Sequence, residues 1–427
     1  MARSLSRRGM LQVAGGAAGT ALAGRFGAPT AAAQETTELR FAHFLGGTQG
    51  NLLQDALDEY SQVNPGVVIV SESTPGSGWV QYLDKVRTAI AGGAAPDMFM
   101  SWGGSLGEAF VGSDQALPLA PYYEQYGWTE MLVPAAMDAI AVDGELYGVP
   151  VALQSMGLWY RTDVFAANEI EIPQTFAELE AAATTLKAAG VTPLSLGGKF
   201  GWNVMRLVDY FLEVTAGPEL KDQMLALEES WDRPEVVETY AHLKRWVDDE
   251  WIVPGFLAVS PDDARVPFYQ GQAAMVFEGN WLGPIIIDTG LDTALFDFFP
   301  PPTDRDPLRI SAFPHQILIA QASEQADAAA EFLNWFIQPE QQTKYFDVEG
   351  STATLGAVPE DDAYAQHWQE LLTELGTYPP TDQVFDSELM GQFFAVQDGI
   401  ITGDLPPEEG AAQMEQAAEA WRQQQGR

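Results

Sequence analysis

Gly103-Gly104-Ser105-Leu106-Gly107 fits the pattern G-x-S-x-G between a predicted strand and a predicted helix, the local setting of a hydrolase nucleophile. Acids are plentiful, and His242, His315 and His367 follow Ser105 in chain order, so a secreted serine esterase has its residue types available. However, only about three strands precede the serine, and no His-Gly oxyanion motif lies upstream. A two-carboxylate glycosidase needs a pair at a set separation, and abundance of acid does not mark one. Metal catalysis has little to work with, since the chain holds four histidines, no cysteine and no H-E-x-x-H. The expectation is a non-enzymatic chain without cofactor or metal.

A second pattern points to binding. In Gly271-Gln272-Ala273-Ala274-Met275-Val276-Phe277-Glu278-Gly279-Asn280-Trp281, small residues close a helix and a short buried strand follows. Gly279 then lets the backbone turn, which presents Trp281 at the carboxyl end of the strand. Ligands of open α/β sheets sit at that end. An indole offers a flat apolar face and one N–H donor, a combination suited to a sugar ring. A buried strand followed by a packing tryptophan has the same pattern.

The elements that must position these residues alternate in type. A strand at Leu39–Phe44 precedes a Gly-rich turn and a helix with Leu52, Leu53, Ala56, Leu57, Tyr60 and Val63 on one face. Asn64-Pro65-Gly66 stops it before a strand at Val67–Val70, a helix at Trp79–Ala91 and a strand at Asp97–Ser101. This order predicts a parallel sheet with right-handed crossovers. Two short strands are expected around Tyr147–Tyr160. Helices are expected at Thr175–Ala189, Trp202–Val214, Pro234–Asp249 and Asp262–Gln272, and a strand pair at Arg309–Ala320. Further helices follow at Ser323–Ile337, Pro339–Asp347 and Pro407–Gln424.

Ser6-Arg7-Arg8-Gly9-Met10-Leu11-Gln12, a short Gly/Ala-rich apolar run and Ala31-Ala32-Ala33 read as a twin-arginine export signal with its cleavage site. The run is too short and too rich in glycine to span a bilayer. With no cysteine for a disulfide or a lipid anchor, the mature protein is expected to be soluble, in the periplasm or secreted. Removing the signal takes Arg3, Arg7, Arg8 and Arg25 and no acid, which moves the net charge from −39 to −43. Such a surface excludes nucleic acid and anionic membrane as partners. The mature length exceeds what a single core usually covers, so two domains are expected.

Further motifs run in order along the mature chain. They are Asn64-Pro65-Gly66, Gly92-Gly93-Ala94-Ala95-Pro96-Asp97 and Asp143-Gly144-Glu145-Leu146-Tyr147-Gly148-Val149-Pro150, then Leu158-Trp159-Tyr160-Arg161-Thr162-Asp163. Phe268-Tyr269-Gln270-Gly271-Gln272-Ala273-Ala274-Met275 and Ala329-Ala330-Glu331-Phe332-Leu333 complete the set. Together they resemble the extracellular solute-binding proteins (family 1) of sugar ABC importers, the maltose-binding-like class. Arg161 departs from the pattern, which usually has Asn there.

The resemblance implies an α/β, two-lobed periplasmic-binding-protein fold of class II with several hinge crossings. It divides the chain into a signal peptide at 1–33, an N-terminal lobe at 34–152 plus 313–350, and a C-terminal lobe at 153–312 plus 351–427. Crossings are expected near Ala152–Ser155, Ile310–Phe313 and Gly350–Leu355. It further implies a monomer that captures a carbohydrate or polyol between the lobes and delivers it to the permease subunits of an ABC importer. Carried over position by position, the ligand-binding residues are Phe44, Thr48, Trp102, Gln154, Trp202, Trp281 and His315. Phe44 also reads as core, Gln154 as a hinge hydrogen bond and His315 as a structural histidine.

The dispersed acidic charge carries a prediction of its own. Because salt screens self-repulsion between surface carboxylates, the melting temperature should rise between low and molar salt. A thermal melt that is flat across that range would contradict it.

Overall fold

Short apolar runs bounded by turn residues form nine strands among the described residues, 36–75 and 78–424, of the computed structural model. The twin-arginine run and its cleavage signal lie outside the described residues. The strands are β1 (Thr37–His43), β2 (Val67–Ser73), β3 (Met98–Trp102), β4 (Gly148–Arg161) and β5 (Thr192–Ser195). The remaining four are β6 (Ala273–Gly279), β7 (Phe296–Phe299), β8 (Arg309–Ile319) and β9 (Gly376–Tyr378). Their order is β2-β1-β3-β8-β4-β6-β5, with β7 on β4 and β9 on β8.

β1 pairs in parallel with both β2 and β3, and the helices Gly47–Val63 and Gly78–Ala91 make the two crossovers. The first of these buries Leu53, Ala56, Leu57 and Tyr60 of the predicted stripe, while Leu52 is half-buried and Val63, at the helix end, is exposed. β8 returns antiparallel to β3 and β4. β4 uses its first half for β8 and its second half for β6 and β7.

Two expectations are corrected here. The segment 147–160 holds one 14-residue strand, and 309–320 holds one 11-residue strand, where strand pairs were expected. The residues that read as breaks have other roles. Pro150 borders the register shift between Pro150 and Ala152, a place where a missing N–H is tolerated. Gly157 leaves room for Trp368, since a Cβ there would come within 2.8 Å of the indole.

Helix ends follow local chemistry. The helix predicted over 175–189 runs Phe176–Ala188 with Thr175 as N-cap. Thr175 Oγ1 accepts from the Glu178 N–H, and the Glu178 carboxylate accepts from the Thr175 N–H, both at 3.2 Å. The helix expected to reach Gln272 stops at Tyr269, because Gly271 adopts φ +69°. The helix expected after the G-x-S-x-G segment runs Ser105–Gly112, whereas the short helices between Ala120 and Asp138 went unpredicted because none is long enough to display a periodic face.

The buried apolar residues form more than one cluster. Leu39, Phe41, Leu57, Met98, Val149, Ile317 and Phe332 pack together around β1, β3 and β8. Met156, Leu207, Phe211, Tyr240, Trp246, Phe277 and Met414 belong to a larger cluster that takes in the second half of β4 and the helices packed near it. Trp102 and Trp202 pack against both the larger cluster and a third one that includes Tyr82, Leu83, Phe99 and Phe110. In the larger set, fully buried Lys221 lies 3.2 Å from Glu213 and 3.2 Å from the centre of the Tyr378 ring. Arg309 reaches the same carboxylate at 2.6 Å, so one buried acid holds two cations and joins β8 and β9 to the helix Trp202–Thr215.

His43, at the end of β1, is 1% exposed, with Nε2 2.7 Å from Ser71 Oγ. Burial pushes its pKa down from 6.5 to about 4. Between those values the unfolded chain binds a proton that the folded chain refuses. The stabilisation is therefore full above the unfolded pKa and is lost as pH falls, by about 2 kcal/mol between pH 7 and pH 5. Urea unfolding of His43→Gln should give a flatter dependence of stability on pH over that range. An unchanged slope would mean that His43 does not contribute as its burial demands.

Candidate functional site

All seven residues named from the sequence line one cleft of about 570 Å³. The structure brings them there from distant parts of the chain. Phe44 follows β1, Thr48 opens the helix Gly47–Val63 and Trp102 ends β3. Gln154 lies in β4 and His315 in β8, while Trp202 and Trp281 stand at the starts of helices.

Aromatic rings make two walls. The Phe44 ring stacks on Trp102 with centroids 4.4 Å apart and an angle of 18°. His315 meets both rings edge-on, at 5.2 and 5.5 Å. On the other wall Trp202 and Trp281 meet edge-to-face at 6.2 Å, and Trp281 lies 6.3 Å from Phe313. Phe44, Trp102, Trp202 and Trp281 are all half-buried. Each keeps part of an apolar surface available after its own packing is complete.

Trp281 owes its pose to two neighbours. Its indole lies against Gly279, where any Cβ would come within 2.2 Å of the ring. Its N–H donates to Glu278 Oε2 at 2.7 Å, so the donor expected to face a guest is already used. Glu278 is fully buried and accepts from Arg265 Nε at 2.8 Å through its other oxygen. Arg265 Nη1 in turn donates to Asp262 Oδ1 at 2.8 Å, one helical turn away.

A polar group sits between the walls. Gln154 Nε2 donates to Glu349 Oε2 at 2.9 Å, and His315 Nδ1 lies 2.9 Å from the same oxygen. Gln154 Oε1 and Glu349 Oε1 are buried with no hydrogen-bond partner. Arg206 is 3% exposed, with its guanidinium 4.5 Å over the Phe313 ring. Its Nη1 stands 3.1 Å from Asp382 Oδ1, close enough for attraction but outside hydrogen-bond geometry. Burial pushes the Asp382 carboxyl above the usual carboxylate range, and the neighbouring Arg206 pulls it partly back. Thr48 Oγ1 donates to the Asp288 carboxylate, so its hydroxyl proton is already used.

Sequence reasoning left Glu349, Asp382, Arg265 and Phe313 out of the site. Arg206 stands outside the predicted set as well. The spacing of Trp202 and Arg206, four apart on one helix, was the available signal for placing both on one face. Glu349 had a weaker one, standing next to Gly350 at an expected crossing.

The G-x-S-x-G segment is accounted for by packing. Gly104 has φ +58°, and a Cβ there would come within 1.9 Å of the Gln383 carbonyl. A Cβ on Gly107 would come within 2.5 Å of the Gln316 amide. Ser105 Oγ donates to the Phe385 carbonyl at 2.8 Å, so its proton secures a backbone segment. No histidine or carboxylate is among its hydrogen-bond partners in the described residues.

With this geometry in hand, comparison with known proteins is direct. The model for the bacterial extracellular solute-binding protein family matches residues 46–343. An uncharacterized ABC transporter extracellular-binding protein of Pyrococcus horikoshii is 23% identical over 384 residues, 88% of this chain and 81% of that one. A multiple sugar-binding protein of Streptococcus mutans is 22% identical over 322 residues, 72% of this chain and 73% of the relative. A solved chitin oligosaccharide binding protein superposes with a TM-score of 0.82 at 23% identity, covering 90% of this chain and 99% of the other. The fold is thus the two-lobed α/β architecture of periplasmic binding proteins, and the chain belongs to the bacterial extracellular solute-binding protein family.

Proposed function

We propose that this protein is a secreted or periplasmic receptor that holds a carbohydrate in the cleft and delivers it to the permease of an ABC importer. The observation that carries the reading is the pairing of two aromatic walls with buried, unpartnered polar atoms between them. Ring faces match the C–H faces of a sugar, and the polar atoms match its hydroxyls. The cleft volume of about 570 Å³ falls in the ordinary range for small-molecule sites.

In this reading the N-terminal lobe comprises 34–152 plus 313–350 and the C-terminal lobe 153–312 plus 351–427. The receptor works as a monomer, leaves the cell by the twin-arginine route without a lipid anchor, and performs no chemistry on its guest. Capture, closure and docking form the cycle, and a micromolar dissociation constant, about −8 kcal/mol, suits a receptor that must also release. The sugar-binding names of the Streptococcus mutans relative and of the chitin oligosaccharide binding protein favour carbohydrate over other solutes.

A thermal-shift screen over sugars and polyols should find at least one that raises the melting temperature, because a guest bound only to the folded state stabilises it. Shifts with peptides or polyamines and none with carbohydrates would refute the reading. For the sugar so identified, Trp281→Ala should weaken binding at least ten-fold, about 1.4 kcal/mol. Gly279→Ala should weaken it comparably while leaving the tryptophan in the chain, since the added methyl displaces the indole. Calorimetric titration of both variants checks this, and wild-type affinity in both would remove Trp281 from the site.

A further inference from the structure

We infer that the guest presents an uncharged pair of neighbouring hydroxyls to the polar end of the cleft, and that a carboxylate in that place is rejected. The inference rests on the carbohydrate reading above and specifies which carbohydrates qualify.

The argument begins with unpartnered atoms. Four buried side chains of the cleft are involved, each 6% exposed or less: Gln154, Arg206, Glu349 and Asp382. They leave two donor nitrogens, Arg206 Nε and Nη1, and three acceptor oxygens, Gln154 Oε1, Glu349 Oε1 and Asp382 Oδ1, without hydrogen bonds. Buried polar atoms of this kind cost stability unless something satisfies them. They cluster around one ring. Phe313 lies under the Arg206 guanidinium at 4.5 Å and stands opposite Gln154 in the β4–β8 ladder. It is also 5.7 Å from His315, which contacts Glu349.

The guest must therefore both donate and accept within a short span. A carboxylate only accepts; it could take the two Arg206 nitrogens but would bring a third negative group beside Glu349 and Asp382. An ammonium only donates and would leave Arg206 unsatisfied. A hydroxyl does both, and two adjacent hydroxyls can share one guanidinium fork while each gives its proton to a facing oxygen. Charge balance supports the same choice. The other guanidinium in the cleft, on Arg265, is already engaged by Glu278 and Asp262, so no further cation is free to compensate an acidic guest.

The test uses matched sugars on the full mature chain: glucose with glucuronate, galactose with galacturonate, and xylobiose with its aldobiuronic counterpart. Calorimetry should find a pair whose neutral member binds at least ten-fold tighter than its acid. Glu349→Gln keeps an acceptor and removes one negative charge, so it should narrow that gap at least three-fold. Arg206→Lys keeps the charge and loses the fork, so it should weaken the neutral sugar at least ten-fold. Melting curves of the unliganded variants report whether they fold; if Arg206→Lys does not, the Glu349→Gln comparison decides. A uronate that binds as tightly as its parent, or a gap unmoved by Glu349→Gln, overturns the inference and leaves the carbohydrate reading standing. Binding by no sugar of any pair overturns both.

Discussion

The antiparallel ladder between β4 and β8 is the constraint on which the rest of the molecule depends. Its backbone hydrogen bonds run from Gly148 opposite Leu318 to Ser155 opposite Ala312, and both strands feed both large apolar clusters, Val149 and Ile317 in one, Met156 and Phe313 in the other. A sheet fixes side-chain facing with a period of two, so ladder register also fixes which side chains reach the cleft. Gln154 stands opposite Phe313, and His315 stands opposite both Ala152 and Trp102. A slip of one residue would turn these side chains to the opposite face. The register shift beside Pro150 is therefore part of the site's construction.

Around that ladder, aromatic and polar residues have complementary tasks. The rings supply contact area and exclude water, which strengthens hydrogen bonds formed beside them. The buried acids hold rings and polar side chains in place. Glu278 fixes the indole of Trp281 by its N–H, and Glu349 gathers Gln154 and His315 onto one oxygen. Small residues complete the arrangement where nothing larger fits. Gly279 lies beneath the indole, and Gly104 admits the backbone of Gln383.

Much of the early fold was readable because its helices are long enough to display a stripe and its strands end at Gly or Pro. The aromatic residues of the cleft were readable for a related reason. Trp102 and Trp281 follow strand ends at turns, where a large ring has few other uses. Continuity of β4 and β8 was not readable, because Gly157, Pro150 and Pro314 look like breaks until the neighbours that need them are in place. The polar end of the cleft was legible only in part. An Arg four residues after a Trp occurs on many helices, and in a chain with 60 acids no local pattern distinguishes Asp382 or Glu349 from the solvated majority.

Asp382 and Gln383 press against Gly104 and Ser105 although 277 residues separate Ser105 from Asp382. The ribosome therefore makes one side of that contact 277 residues before the other. A nascent polypeptide that has already formed β1 to β8 thus still lacks a carboxylate and a supporting backbone at the polar end. The cleft is finished only after residue 382 has been made, and a product truncated before it would keep the fold's strands while lacking a finished cleft.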